Sequence, residues 1–214
     1  MRSAGDRHTH PAVQTMLAQR LIAIIRTSSA ALAIAAGRAL FAAGLSAVEV
    51  ALTTPGALDA IGVLAGEWPE GGWVGAGTVL DVAMASDAGA AGAAFLVAPN
   101  LNPAVIARGH AGGLAVIPGV LTPTEMIHAH QAGADLIKVF PATAWTPSAL
   151  KDVLAPLPHL ALVPTGGIRI DRAADWINAG AVAVGVGREL TMGDSGEVSR
   201  RARRLLATLK AARS

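Results

Sequence analysis

Short apolar segments alternate with longer alanine-rich segments along the chain from residue 21 onward. The short segments are rich in valine, isoleucine and leucine and leave little polar surface on either face. They are 21–26, 45–52, 72–77, 94–99, 114–119, 135–140, 160–166 and 181–187. Segments that are apolar on both faces are typical of buried parallel strands. The pattern therefore predicts eight parallel strands joined by helices.

The segments between the predicted strands carry residues that begin and end helices. A capping side chain precedes proline at 54–55, 102–103, 122–123 and 146–147, which predicts helix starts. Asp81 and Asp171 are further candidate N-caps. Glycine closes several of these segments, as is typical of helix C-termini. Eight such units predict an α/β fold, a single-domain (β/α)8 TIM barrel, with an open doubly wound sheet as the alternative.

Length and composition favour one well-cored domain. The chain has 214 residues, of which 52% are hydrophobic and 15% charged. We expect a barrel domain over residues 17–214, preceded by a loose N-terminal extension over 1–16 that lacks the apolar core of a secretion signal. The absence of cysteine excludes disulfides and thiolate nucleophiles. These features favour a cytoplasmic protein.

Charge and hydropathy argue against nucleic-acid and membrane partners. The formal charge is only +2, and the basic run Arg200–Arg204 is interpreted as the solvated face of the last helix. No apolar run reaches the roughly 18 residues that span a bilayer. The histidines, including His110, are interpreted as surface residues, because no pair of them has the geometry of metal ligands. We expect neither a metal nor another cofactor.

Two ionisable residues interrupt apolar strands. Lys138 is the only lysine on a predicted strand, and alternation places it on one face with Leu136 and Phe140. If that face is the barrel interior, burial favours the neutral amine, which can attack a ketone and form an imine. Glu49 is the only carboxylate well inside a strand and can transfer the protons that imine chemistry requires. The alternative is a buried structural ion pair.

Glycine-rich segments end the last two predicted strands. They read PTGGI and VGVGRE, at the places where many barrels bind phosphate through backbone N–H groups. Glycine lets the backbone approach such a ligand closely. The alternative is that both are only tight turns.

In these motifs the chain resembles the 2-keto-3-deoxy-6-phosphogluconate (KDPG) and 4-hydroxy-2-oxoglutarate (KHG) aldolase family. The resemblance begins near residue 17 and rests on eight motifs in order. They are LIAIIR, VEVALTTPGALDAI, VGAGTVLD, LVAPN, VIPGVLTPTE, AGADLIKVFPA, PTGGI and AVGVG. It implies a cofactor-free, homotrimeric barrel that uses an imine mechanism.

The resemblance also implies roles for individual residues. Lys138 matches the lysine that forms the imine, and Glu49 matches the general acid/base. Thr78 matches a residue that binds the pyruvyl carboxylate. The remaining matches are Pro99 and Phe140, which line the pocket, and Gly166, Gly167 and Gly187, which bind phosphate.

Two positions depart from the family pattern. Thr53 stands where many members have an arginine that holds the carboxylate, and Arg26 is the candidate to supply that charge. Arg188 stands in place of a serine that contacts phosphate. It either strengthens phosphate binding or points to solvent.

The predicted reaction is cleavage of the phosphorylated sugar acid KDPG to pyruvate and glyceraldehyde 3-phosphate. Thr165 bears on sugar stereochemistry, because its hydroxyl can bond a substrate hydroxyl. The galactonate analogue and 4-hydroxy-2-oxoglutarate are alternative substrates. More distant alternatives are another phosphate-binding barrel, such as an isomerase or thiamine-phosphate-type synthase, and a non-catalytic sugar-phosphate binder.

Overall fold

Parallel strands alternate with helices in the computed structural model, which describes residues 10–68 and 71–212. The strands are β1 (Leu21–Ile25), β2 (Ala47–Ala51), β3 (Trp73–Gly77), β4 (Phe95–Val97), β5 (Ala115–Ile117), β6 (Gly119–Val120), β7 (Ile137–Val139), β8 (Leu162–Pro164) and β9 (Val184–Val186). The helices are α1 (Pro11–Gln19), α2 (Ala30–Ala42), α3 (Ala57–Glu67), α4 (Val82–Ala90), α5 (Pro103–Ala111), α6 (Pro123–Gln131), α7 (Pro147–Leu154), α8 (Ala173–Asn178), α9 (Arg188–Thr191) and α10 (Ser195–Ala211). Each of the eight predicted segments contains a strand.

The strands form a curved parallel sheet in two parts. One part has the order β5-β4-β3-β2-β1-β9 and the other β6-β7-β8. The division falls at Pro118, because proline has no N–H to donate to a neighbouring strand. The α/β class and the parallel pairing are confirmed. This pairing leaves the sheet open rather than closed into a complete barrel.

Alternate residues of each strand pack into two separate apolar clusters. The outer cluster lies between sheet and helices and contains Ile137 and Val139. The inner cluster fills the concave side of the sheet and contains Leu136, Phe95 and Ile117. Neighbouring side chains on a strand point to opposite faces. Lys138 therefore projects to the concave side, as the alternation predicted.

Helix α1 covers the amino-terminal end of the concave side. Its residues Val13 and Met16 are fully buried and pack in the inner cluster with Ile22 and Ala47, near the starts of β1 and β2. Residues 1–9 of the predicted extension lie outside the described residues, whereas 11–16 belong to this helix. The site must therefore open at the other end of the strands.

Most predicted helix caps are confirmed. Side chains of Asp81, Asn102, Thr122 and Thr146 each accept a hydrogen bond from the first turn of the following helix.

Two predicted caps are wrong. Helix α3 begins after Gly56, and the Thr54 hydroxyl accepts a hydrogen bond from the Thr27 N–H instead, at 3.2 Å. Asp171 lies inside a short 3-10 helix, and its carboxylate binds the Arg169 guanidinium. In both cases the oxygen that was predicted to cap the helix accepts a hydrogen bond from another residue, from the distant Thr27 at Thr54 and from the nearby Arg169 at Asp171.

The basic run belongs to the last helix. Arg200 and Arg204 are exposed on α10, while Ala202 between them is fully buried against the core. This is the arrangement expected of a solvated helix face. Among the described residues, no helix is both long enough and apolar enough to cross a bilayer.

Candidate active site

A pocket of about 480 Å³ opens at the carboxyl ends of the strands. Functional groups gather at this end in parallel α/β proteins, because loops and helix starts converge there. Eight of the eleven predicted site residues line the pocket. They are Arg26, Lys138, Phe140, Thr165, Gly166, Gly167, Gly187 and Arg188.

Lys138 lies in the middle of β7 and is held on both sides by neighbouring strands. It is paired in register with Gly119 of β6 and Val163 of β8. Only 6% of the residue is exposed, and its Nζ lies 5.0 Å from the centre of the Phe140 ring. A cation at that distance is attracted to the face of an aromatic ring. The amine therefore has a defined position at the base of the pocket.

Glu49 lies in the middle of β2 and is 1% exposed. It is not among the residues that line the pocket, because its side chain lies deeper, against the backbone of Gly77 on β3. Burial raises the pKa of the Glu49 carboxyl, and the positive charges of Lys138 and Arg26 act in the opposite direction. The two predicted ionisable residues are thus brought into electrostatic contact across the concave side of the sheet.

Arg26 and Thr78 meet at the rim beside this pair. Arg26 follows β1, and its Nη2 lies 3.4 Å from the Thr78 Oγ1, to which it donates. Thr78 follows β3 with φ of +62°, which is uncommon for a residue other than glycine. Thr53 is exposed and does not line the pocket. Of the two candidate positions for a carboxylate-binding cation, only Arg26 carries one.

Two consecutive glycines after β8 form part of the pocket wall. Gly166 and Gly167 have φ of +89° and +80°, a conformation that favours glycine. An added Cβ at Gly166 would lie 2.9 Å from the Phe140 ring, and one at Gly167 would overlap Thr143. The glycines therefore allow the chain to turn tightly against the aromatic ring.

Arg188 is the first residue of α9 and is exposed at the pocket rim. Its Nε lies 3.2 Å from the Sδ of Met192 one turn later, which directs the guanidinium along the helix. The first N–H groups of a helix have no acceptor within it. The backbone after Gly187 and the Arg188 side chain together offer several donors to an anion.

Thr165 and Pro99 differ in their position relative to the pocket. Thr165 is 4% exposed and donates from Oγ1 to the Val163 carbonyl at 3.2 Å, while it lines the pocket. Pro99 does not line the pocket, and its carbonyl lies against Gly119. The structure thus brings Thr165 to the site and leaves Pro99 beside it.

Four pocket residues were not predicted. Ile24 is an inward residue of β1, and strand alternation that starts at Arg26 would have indicated it. Ile168 and Glu189 are the last residues of the motifs PTGGI and VGVGRE. Nothing in the local sequence marks Met192, which follows α9. Among residues 10–68 and 71–212, no three side chains form a group suited to a metal ion.

A model of the KDPG and KHG aldolase family matches residues 13–202. Curated relatives differ in the substrate that their names specify. A 2-dehydro-3-deoxy-6-phosphogalactonate aldolase of Escherichia coli (strain K12) is 34% identical over 90% of this chain and 94% of its own length. A 2-dehydro-3-deoxy-phosphogluconate aldolase of Treponema pallidum (strain Nichols) is 36% identical over 74% of this chain and 75% of its own.

Solved structures are similar over most of the chain. A native KDPGal structure has a TM-score of 0.85 and 32% identity, covering 90% of this chain and 95% of that one. A KDPG aldolase from Legionella pneumophila has a TM-score of 0.79 and 28% identity, covering 96% and 99%. In that structure pyruvate was captured at low pH as a covalent carbinolamine intermediate.

Proposed function

The chain belongs to the KDPG and KHG aldolase family, and from that premise we propose that it cleaves KDPG to pyruvate and glyceraldehyde 3-phosphate through an imine on Lys138. The observation that carries this proposal is the placement of a buried amine and a buried carboxyl group on one concave surface, beneath a single pocket. A covalent carbinolamine in the Legionella pneumophila relative is the chemistry that such an amine performs.

Lys138 attacks C2 of the 2-keto acid, and Glu49 supplies the proton with which water leaves. The resulting protonated imine accepts electrons when the C3–C4 bond breaks. Glu49 takes the proton of the C4 hydroxyl, which frees glyceraldehyde 3-phosphate. The enamine is then protonated, and hydrolysis of the imine releases pyruvate and restores Lys138. The raised pKa of Glu49 supports this role, because the group must both give and take a proton.

The two ends of the substrate match two positively charged parts of the pocket. We assign the carboxylate to Arg26 and Thr78, since a guanidinium binds a carboxylate through paired hydrogen bonds. The phosphate is assigned to Gly166, Gly167, Gly187 and Arg188, which follow β8 and β9. Phe140 lines the pocket beside the Lys138 amine, and Pro99 lies against Gly119, the residue paired with Lys138.

The galactonate analogue is the second candidate substrate. It is favoured by the Escherichia coli relative, whose name specifies the phosphogalactonate. We favour the gluconate form because the Thr165 hydroxyl on the pocket wall can bond a sugar hydroxyl of one configuration. Initial rates with KDPG, its galactonate epimer and 4-hydroxy-2-oxoglutarate, measured as pyruvate released, decide among the three. A higher kcat/KM for either rival would reassign the substrate.

Borohydride reduction in the presence of pyruvate tests the imine directly. The wild-type protein is expected to gain one reduced pyruvyl adduct on the peptide that contains Lys138, and Lys138→Met to lose both adduct and turnover. Lys151→Met is the matched control, because Lys151 is exposed on α7 and does not line the pocket. An adduct that survives in Lys138→Met, or turnover near the wild-type rate, would contradict the mechanism.

Arg188→Ser tests the phosphate assignment. A hydrogen bond to a charged group contributes about 1.5–3 kcal/mol, so KM for the phosphorylated substrate should rise about 10- to 150-fold. KM for unphosphorylated 4-hydroxy-2-oxoglutarate should change little. Arg200→Ser on the exposed face of α10 is the control for lost charge. Equal effects on both substrates would place Arg188 outside the phosphate site.

We also propose that the two parts of the sheet close into a (β/α)8 barrel. Hydrogen bonds from Ala98 N to Ile117 O and from Gly119 N to Asn100 O continue the pairing across Pro118. On the other side Thr165 and Gly185 form a parallel bridge, and Val182 N donates to Leu162 O. Slow exchange of these amide protons would support closure, and exchange as fast as in exposed loops would contradict it.

The proposed assembly is a homotrimer in the cytoplasm. Family resemblance supports the trimer, as do exposed apolar side chains at Leu80, Val82 and Leu121. The absence of cysteine is compatible with a reducing compartment. A molar mass in solution of one subunit would contradict the trimer.

A further inference from the structure

Gly77 has a backbone conformation that does not require glycine. Ten other described glycines have a positive φ, among them Gly166 and Gly167, whereas Gly77 does not. A residue with a side chain would therefore adopt the backbone conformation of Gly77 without strain. The reason for glycine must lie in the space around its α-carbon.

That space is occupied by the carboxyl group of Glu49. A Cβ added at Gly77 would overlap Oε1 of Glu49 and would lie 2.5 Å from its Cδ and 2.6 Å from its Cγ. These distances are far shorter than the 3.5–4.0 Å of an ordinary contact between carbon atoms. The end of the Glu49 side chain thus rests directly on the β3 backbone at the point where a side chain is missing.

The register of the strands shows why Gly77 and not its neighbour receives this group. Glu49 is paired with Gly75, and Ala51 with Gly77. Space over Gly75 is filled by the ring of Phe95, since a Cβ there would overlap that ring. The Glu49 side chain therefore extends along its strand to the diagonal position, which lies within reach of a long side chain.

We propose that Gly77 is a positioning residue, whose lack of a side chain sets the depth and direction of the Glu49 carboxyl group beneath the pocket. The catalytic part of this inference rests on the proposed function, since it assumes that Glu49 transfers protons at the substrate held by Lys138. The placement of the carboxyl group rests on geometry alone.

A side chain at position 77 would displace the Glu49 carboxyl group towards the pocket, where it is more exposed to solvent. The charged groups that face Glu49 are Lys138 on β7 and Arg26 after β1. Both stay in place when position 77 changes, while the burial that raises the Glu49 pKa is reduced. The pKa of the displaced carboxyl group should fall towards its ordinary value.

A double-mutant cycle tests the placement without any assumption about the reaction. Gly77→Ala should lower the melting temperature, and the loss should largely disappear in a Glu49→Ala background, where the added methyl group has room. Gly66→Ala is the control, because Gly66 is an exposed residue of α3 and nothing lies within 4 Å of a Cβ added there. An equal loss of melting temperature in both backgrounds would overturn the placement.

The pH profile of turnover tests the positioning role. In Gly77→Ala, kcat should fall at least tenfold. The limb of the pH profile that reports the ionisation of Glu49 should move to lower pH. A purely structural role would leave the position of that limb unchanged. A kcat within twofold of wild type and superimposable profiles would overturn the role. If the wild-type protein cleaves no sugar acid, the proposed function fails. The double-mutant cycle in melting temperature still tests whether Gly77 positions the Glu49 carboxyl group.

Discussion

Two carboxyl groups in this protein are equally buried and have opposite surroundings. Glu49 and Asp135 are each 1% exposed. One Asp135 oxygen lies 2.9 Å from His110 Nε2 and accepts the Val116 N–H at 2.8 Å. For Glu49 the influences of the described residues are burial and the charges of Lys138 and Arg26, with no hydrogen bond among them. Burial is the same, but only Asp135 is held by donors.

The difference supports the proposal that Glu49 is reactive, whereas Asp135 is structural. A buried charge that receives hydrogen bonds is stabilised in its charged form and ties elements together. Asp135 links α5, β5 and the start of β7 in this way. Glu49 receives no such hydrogen bond from the described residues and is influenced by Lys138 and Arg26, which supports its proposed role in proton transfer.

Replacement of Glu49 should give the largest effect and should act on catalysis. Glu49→Gln preserves shape and removes the transferable proton, so turnover should fall about 10²- to 10⁴-fold. The variant should remain folded, because a buried ionisable group has been replaced by a neutral one. A steady-state pyruvate assay and circular dichroism measure the two properties. Turnover above a tenth of wild type would show that another group transfers the proton.

Replacement of Asp135 should act on stability alone. Asp135→Ala leaves His110 and the Val116 N–H without their shared acceptor, at a cost of about 2–4 kcal/mol in the free energy of unfolding. Denaturant unfolding measures this loss, and kcat of the folded fraction should stay within about threefold of wild type. A selective loss of turnover with stability intact would remove the distinction between the two carboxyl groups.

His110→Phe should have a smaller effect of the same kind. Asp135 keeps the Val116 N–H as a donor, so the loss should be about 1–3 kcal/mol. His128→Phe on α6 is a comparison at an exposed site, where little change in stability is expected. If the His110 variant unfolds as easily as Asp135→Ala, the histidine rather than the backbone donor holds the carboxylate.

The smallest effect at any one pH is a change in the pH dependence of stability. Because the folded-state pKa of Glu49 is raised above its ordinary 4.5, the folded state binds more protons than the unfolded state above that pH. Stability contributed by Glu49 is therefore lost as pH rises, by no more than about 1.4 kcal/mol per unit. Glu49→Gln should lack this loss, so its advantage over wild type should grow from pH 4 towards neutrality. An advantage that shrinks as pH rises would contradict the shift.

Local patterns predicted the fold well where neighbouring residues decide it. The caps Asn102, Thr122 and Thr146, each followed by proline, form as expected, because cap and helix are adjacent in the chain. Thr54 was predicted as a cap and was wrong, since Thr27 reaches its hydroxyl from another loop. His110 was interpreted as a surface residue and is instead paired with Asp135, 25 positions away. Long-range partners leave no signal in a single sequence.

By itself the sequence determined that Lys138 and Glu49 interrupt apolar strands and that Lys138 shares one face with Leu136 and Phe140, because side chains on a strand alternate with a period of two. Only the tertiary structure decided that Lys138 lines the pocket and acts on the charge of Glu49, that Asp135 meets donors while Glu49 does not, and that the Glu49 carboxyl rests on Gly77. These outcomes depend on which strands become neighbours and in what register. A local pattern carries no information on either, because both follow from packing across the whole sheet.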